Sequence, residues 1–201
     1  MRKLFLLILT VSINHCHSQS LKTLFQWDTT GMGSFKGYGE MFIKGTLVKN
    51  EPTAIIGGRG GFILNRRIAF GGIGAGYLVQ SNLKGNDLAG NPSANLNIKM
   101  GSGGVFMEYI HKMESAVHFS VPISFTIGNV EVTEATSGNR IESSRVLMIE
   151  PALNIEFNFS KFLIIAVTGS YRIARLNHLI NLENQDVSGP VIGLVGKFAS
   201  F

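Results

Sequence analysis

Residues 115–127 read SAVHFSVPISFTI. From Val117 onward every second residue is apolar: Val117, Phe119, Val121, Ile123, Phe125 and Ile127. His118, Ser120, Pro122, Ser124 and Thr126 alternate with them. A period of two belongs to a β-strand, whose successive side chains point to opposite faces. The apolar face is longer than a globular strand ordinarily needs. It suits a tilted strand crossing a bilayer, which takes about 9–11 residues.

Working outward, seven more stretches read as strands: 35–47, 53–64, 67–80, 95–110, 144–158, 161–175 and 191–201. Asn65 and Arg66 make a tight turn between the second and third. In the third, Ile73, Ala75, Tyr77 and Val79 form an oily face opposite Gly72, Gly74 and Gly76. In the fourth, the apolar residues change phase between Met100 and Val105, which predicts a β-bulge at the intervening glycines. After the first connection the loops alternate short and long. The long ones, 81–94, 129–142 and 176–190, are polar and rich in turn formers, and the first residues of 129–142 can equally prolong the strand before them. Even strand number, short turns on one side and long loops on the other are the marks of an outer-membrane barrel with both termini in the periplasm. The fold expected is all-β: an eight-stranded antiparallel up-and-down transmembrane β-barrel.

Composition agrees. Charged residues are 15% of the 201 and glycines number 24, whereas soluble domains carry roughly 25% charge. Beyond the N-terminus no apolar run is long enough for a membrane helix. Residues 1–18 have the three parts of a signal peptide: basic Arg2 and Lys3, an apolar core, and small Cys16 and Ser18 before Gln19. A lipoprotein signal fits less well, because His15 precedes Cys16. Cleavage removes the only cysteine, so the exported chain forms no intramolecular disulfide. It also leaves 16 basic against 13 acidic residues, +3, too mild a charge to imply nucleic acid. Residues 19–34, with Phe25 and Trp27, read as a periplasmic lead-in, and 35–201 as the barrel domain.

In this barrel the oily faces meet lipid and the other faces fill a lumen just wide enough for side chains. The inward charges expected are Glu40, Arg59, Glu108, Glu150, Glu156, Arg172 and Lys197, read first as a structural ion-pair filling and, as the alternative, as a proton or ion path. Inward glycines on the second and third strands would make room for them. Pro122 lacks an N–H in a wall without a free edge, so a bulge or a weak spot must accommodate it.

Chemical motifs are thin. GGRGG (57–61) and GGIGAG (71–76) complete no phosphate loop and lead into no helix. His118 and Ser120 share a face with several Glu, so a Ser–His–Glu hydrolase acting on envelope lipids can be drawn. However, an i,i+2 pair on a strand points two side chains the same way without making them touch. His111 and His178 have no metal spacing. Tyr38, Tyr77, Tyr109 and Tyr171 read equally as members of an interfacial girdle and as plain packed aromatics. No catalytic, cofactor-binding or metal residue is assigned, and no cofactor is expected.

The stretches IEPALNIEFNFSKF (149–162), GSYRIA (169–174), SGPVIGLVGKF (188–198), GGRGGFIL (57–64) and GGIGAGY (71–77) carry a resemblance. The chain resembles an uncharacterised Gram-negative outer-membrane β-barrel family, in which an E-P-x-x-N-x-E strand precedes an S-Y-R strand and a last strand ending in Phe. The matching positions are Glu150, Pro151, Asn154, Glu156, Ser170, Tyr171, Arg172 and Phe201. More loosely it is similar to OmpA-like eight-stranded domains. The resemblance implies fold and location, not an activity. Expected partners are outer-membrane lipid and an unidentified ligand of the long loops, with no nucleic acid, and the chain is expected to be a monomer. The competing architecture is a soluble lipocalin-like carrier of an apolar ligand. It would turn Phe119, Ile123, Ile155 and Val167 inward and Glu150, Glu156 and Arg172 outward.

Overall fold

The computed structural model describes residues 35–48, 51–79, 83–84, 95–134, 138–177 and 183–199. The signal peptide and the lead-in expected over 1–34 lie outside the described residues, as do most of the 81–94 loop and Phe201. The strands are β1 (Phe35–Val48), β2 (Glu51–Leu64), β3 (Ile68–Val79), β4 (Leu83–Lys84), β5 (Asn95–His111), β6 (Val117–Glu134), β7 (Arg140–Asn158), β8 (Leu163–Leu176) and β9 (Gly189–Ala199). One helical turn, α1 (Asn184–Val187), precedes β9. β4 is a two-residue addition to the end of β5. The other eight strands pair antiparallel with their neighbours, β1 pairs with β9, and β3 with β5 closes the barrel.

The register sets the shape. Lys36, Ile63, Ala69, Glu108 and Pro122 follow one another across the wall. Beyond β7 the same line continues through Ala152, Ser170 and Val191 to Thr46. One circuit therefore returns to β1 ten residues higher, from Lys36 to Thr46. A stagger of this kind requires strongly tilted strands, about 35–45° from the barrel axis.

The tight turn expected at Asn65–Arg66 is present. Both residues have left-handed backbone, φ 51° and 56°, and Arg67 N–H donates to Leu64 O at 3.1 Å. Two left-handed central residues match the twist of a hairpin. The first residues of the 129–142 loop do prolong the strand before them, and its last residues join the next one. β6 runs on to Glu134 and β7 starts at Arg140, so the ladder continues through most of it.

The bulge expected at the β5 glycines is absent. β5 and β6 keep one register from Leu96–Glu134 to His111–Phe119. The apolar phase changes because the interior changes: Leu96, Ile98 and Met100 point in, whereas Val105, Met107 and Tyr109 point out. Pro122 is accommodated as a weak spot. The β6–β7 ladder is unpaired between Ser120–Asn154 and Ile123–Pro151, with the same register on both sides. A second gap lies beside Pro151, between Ile149–Ile173 and Ala152–Ser170. A proline lacks the N–H a ladder needs.

The third strand has its faces reversed from the expectation. Tyr77 is buried and Ile73 and Ala75 point inward, while Gly72, Gly74 and Gly76 stand on the outer wall with Phe70 and Leu78. Inward glycines are present on the second and third strands, as expected, but they are Gly57, Gly61 and Gly71; Gly104, Gly128 and Gly193 face inward on other strands. A Cβ at Gly57 would lie 2.4 Å from Gly74 O and 2.5 Å from the Phe42 ring, and one at Gly193 2.3 Å from Ile43 O. These are points where a neighbouring backbone or ring comes too close for a Cβ, and only glycine fits. The outward glycines of β3 have no such crowding.

Candidate functional site

Among the described residues, acids, bases and hydroxyls converge in the lumen. The alternation of each strand puts them there, and the small circumference forces them together. All seven charges expected inside are inside: Glu40, Arg59, Glu108, Glu156, Arg172 and Lys197 are buried, and Glu150 is nearly so. Lys44 joins them, 4% exposed. It shares a strand face with Glu40, so the alternation of β1 already carried the signal. With Lys44, four acids balance four permanent cations.

These charges form two layers. In the layer nearer the short turns, Lys197 Nζ donates to Glu108 at 2.5 Å and to Glu156 at 2.7 Å, and lies 3.9 Å from Glu40. His118 Nε2 is 2.9 Å from Glu156, and its Nδ1 is 3.2 Å from Ser115 O. Ser120 O–H is shared between Glu108 and Glu156, and Asn154 donates to Ser120 Oγ at 3.0 Å. Arg59 lies 3.3 Å from Glu40, off hydrogen-bond alignment, and its guanidinium is packed by the Phe42 and Phe106 rings at 5.7 and 5.4 Å. In the second layer Glu150 accepts from Lys44 at 2.7 Å, from Ser170 at 2.9 Å and from Arg172 at 3.1 and 3.2 Å. Arg172 also stacks over Tyr77 at 4.8 Å. Charges buried at this depth persist only when paired.

Apolar layers close both sides of this filling. Toward the short turns lie Tyr38, Ile63, Ala69, Phe106, Ile110 and Met113. Toward the loops lie Leu96, Ile98, Val130, Val132, Val146 and, from α1, Val187 at 1% exposure. The interior cavity beside Lys44, Tyr77, Glu150 and Arg172 measures about 20 Å³, room for about one water.

The Ser–His–Glu arrangement drawn from the sequence does not assemble. Both ring nitrogens of His118 are engaged, one by Glu156 and one by a backbone carbonyl, and neither by Ser120. Glu156 sits between the histidine and the serine, which is the wrong order for a base to activate a nucleophile. Among the described residues no group of three or more His, Cys, Asp and Glu is arranged to hold a metal ion. Tyr38 and Tyr77 are core residues, not girdle residues. The aromatics at the short-turn rim are instead Phe62, Phe70, Tyr109, Phe119, Phe157, Phe159, Phe162 and Phe198, all outward. Their signal in the sequence was position, each within a few residues of a short turn.

The outer wall completes the geometry. Phe119, Ile155 and Val167 are 43–50% exposed, with no partner element outside them among the described residues, and the charges are within. The lipocalin-like arrangement is thereby excluded. The fold is a closed, eight-stranded, all-antiparallel β-barrel of the outer-membrane type. Among solved structures it is similar to Neisserial surface protein A (NspA), with a TM-score of 0.57 and 12% identity over 83% of this chain and 96% of that one. Ail, the attachment invasion locus protein of Yersinia pestis, matches with a TM-score of 0.44 and 12% identity over 84% of this chain and 99% of that one. Neither a protein-family model nor a curated protein sequence matches the chain.

Proposed function

We propose that the chain is a non-enzymatic protein of the Gram-negative outer membrane, exported through residues 1–18, whose solid barrel anchors a binding face outside the cell and conducts nothing. The observation that carries this reading is the filling: two layers of paired charge between two apolar layers. The ladder also overshoots the membrane. β5, β6 and β7 are 17, 18 and 19 residues long, against about 9–11 needed to cross. From Ile127 to Glu134 the β6–β7 hairpin continues for seven residues, roughly 20 Å of extended strand. That hairpin and the neighbouring loops would supply the contact surface for an external partner. The resemblance to NspA, a surface protein by its name, supports the same location. Reconstitution into planar bilayers tests it. The expected result is an intact membrane without discrete conductance steps. Reproducible channels that persist after repurification would refute the closed-lumen reading.

A further inference from the structure

On its outer wall the barrel carries an apolar band with a sharp upper limit. Along β6 the outward residues from Val117 to Ile127 are apolar. Ten steps at ~3.3 Å, tilted by about 40°, span roughly 25 Å, the height of a transmembrane barrel's apolar band. Ile127, Leu147 and Ile173 are its last members on β6, β7 and β8, each more than half exposed. The next outward residues are Asn129, Arg145 and Arg175, and on β5 the matching position is Lys99; all four are exposed.

The register makes these four neighbours. Asn129 opposes Arg145. Arg175 opposes Leu147, so it is the diagonal neighbour of Arg145. Gly101 opposes Asn129, so Lys99 is diagonal to Asn129. Diagonal pairs lie about 7–8 Å apart. Because the register climbs toward the loops from β5 to β8, by about one residue per strand, these two diagonals run level with the membrane plane. Among the described residues no carboxylate pairs with Lys99, Arg145 or Arg175; Glu131, across from Lys99, is 3.7 Å from Arg140 instead. Three cations with no carboxylate partner among the described residues therefore sit side by side at the edge of the hydrocarbon, on the side where the loops emerge. Two guanidiniums at this spacing fit phosphate oxygens, each with a planar fork of donors.

We propose that Lys99, Asn129, Arg145 and Arg175 form a headgroup site on the outer wall for the phosphorylated glycolipid of the outer leaflet, a lipid A-type bisphosphate. The site deepens the outer-membrane reading above and rests on it. Glycolipid seated there would hold the long β6–β7 hairpin at a fixed height above the membrane.

The test uses the folded chain in neutral phosphatidylcholine vesicles, with bisphosphorylated lipid A, phosphatidylglycerol or inorganic phosphate added, read as the shift in thermal midpoint and as retained lipid in native mass spectrometry. The parent chain should bind lipid A at least tenfold more tightly than phosphatidylglycerol, and inorganic phosphate should give no shift. The triple variant Lys99→Gln/Arg145→Gln/Arg175→Gln should insert normally and lose at least tenfold in lipid A affinity, while Lys112→Gln at the opposite rim should behave as the parent. A triple variant that binds as well as the parent overturns the site, as does equal binding of the two lipids or a shift with free phosphate. In each of these the chain has inserted, so the membrane reading stands. A chain that fails to insert at all would sink both.

Discussion

Lys197→Met removes the ammonium around which three carboxylates gather in the lumen. Lys197 is 2% exposed, and among the described residues its ammonium alone lies within 4 Å of Glu108, Glu156 and Glu40, at 2.5, 2.7 and 3.9 Å. Methionine keeps the unbranched stem up to Cε and leaves out the ammonium, so the change is mainly electrostatic. Removing one partner of a buried pair costs about 3–5 kcal/mol, because the remaining charge is stranded. Here Glu108 is left with only Ser120, Asn154 and Tyr38 as donors, so the loss should reach the upper part of that range. Adding Glu108→Gln removes the stranded charge and should restore about 1–3 kcal/mol. The assay is reversible urea unfolding of the barrel in vesicles, followed by circular dichroism and by the mobility of unheated samples in gels. If Lys197→Met stays within about 1 kcal/mol of the parent, or the double variant is no better than the single one, the lumen is wet and the ion-pair filling is not what stabilises it.

Other substitutions separate the remaining claims. Gly57→Val should destabilise by about 1–3 kcal/mol or prevent folding, since its Cβ meets Gly74 O and the Phe42 ring. Gly39→Ala, where a Cβ meets nothing within 4 Å, should fold with a thermal midpoint close to the parent's. Ile123→Arg, near the middle of the apolar band, should cost about 2–4 kcal/mol in lipid vesicles; no cost there would mean that this face does not meet hydrocarbon. His118→Gln should leave envelope lipid composition unchanged, since His118 orients against Glu156 and a backbone carbonyl and not against Ser120. A change in lipid composition on that substitution would reopen the hydrolase reading.

The sequence showed strands wherever the two faces differed in polarity along their full length. β6 is the clearest case, and Leu147, Ile155, Val167 and Ile173 follow the same rule on β7 and β8. It misled where the interior is itself apolar. Leu96, Ile98 and Met100 look like a lipid face and are buried under the loops, so a continuous strand read as bulged. Ile73, Ala75 and Tyr77 misled in the same way, because bare glycines occupied the lipid face opposite them. Polarity alone cannot tell a core from a bilayer; only the register of neighbouring strands does so. The charged layers were legible residue by residue, but not as pairs. That Glu156 lies between His118 and Ser120, or that Lys197 gathers three carboxylates from β1, β5 and β7, depends on closure of the barrel and on no local pattern. The outer cations were invisible for the same reason: Lys99, Arg145 and Arg175 are far apart in the chain and meet only through the tilt of the wall.

The central claim is the sidedness of the wall. It is tested most directly by placing single cysteines at successive positions from Val117 to Ile127, attaching a spin label, and measuring collisions with oxygen dissolved in the bilayer. Labels at Phe119, Val121, Ile123 and Phe125 should collide freely, and those at Ser120, Pro122 and Ser124 should be shielded or block folding. Uniform access along the strand, or high access at the even positions with shielding at the odd ones, would contradict the account.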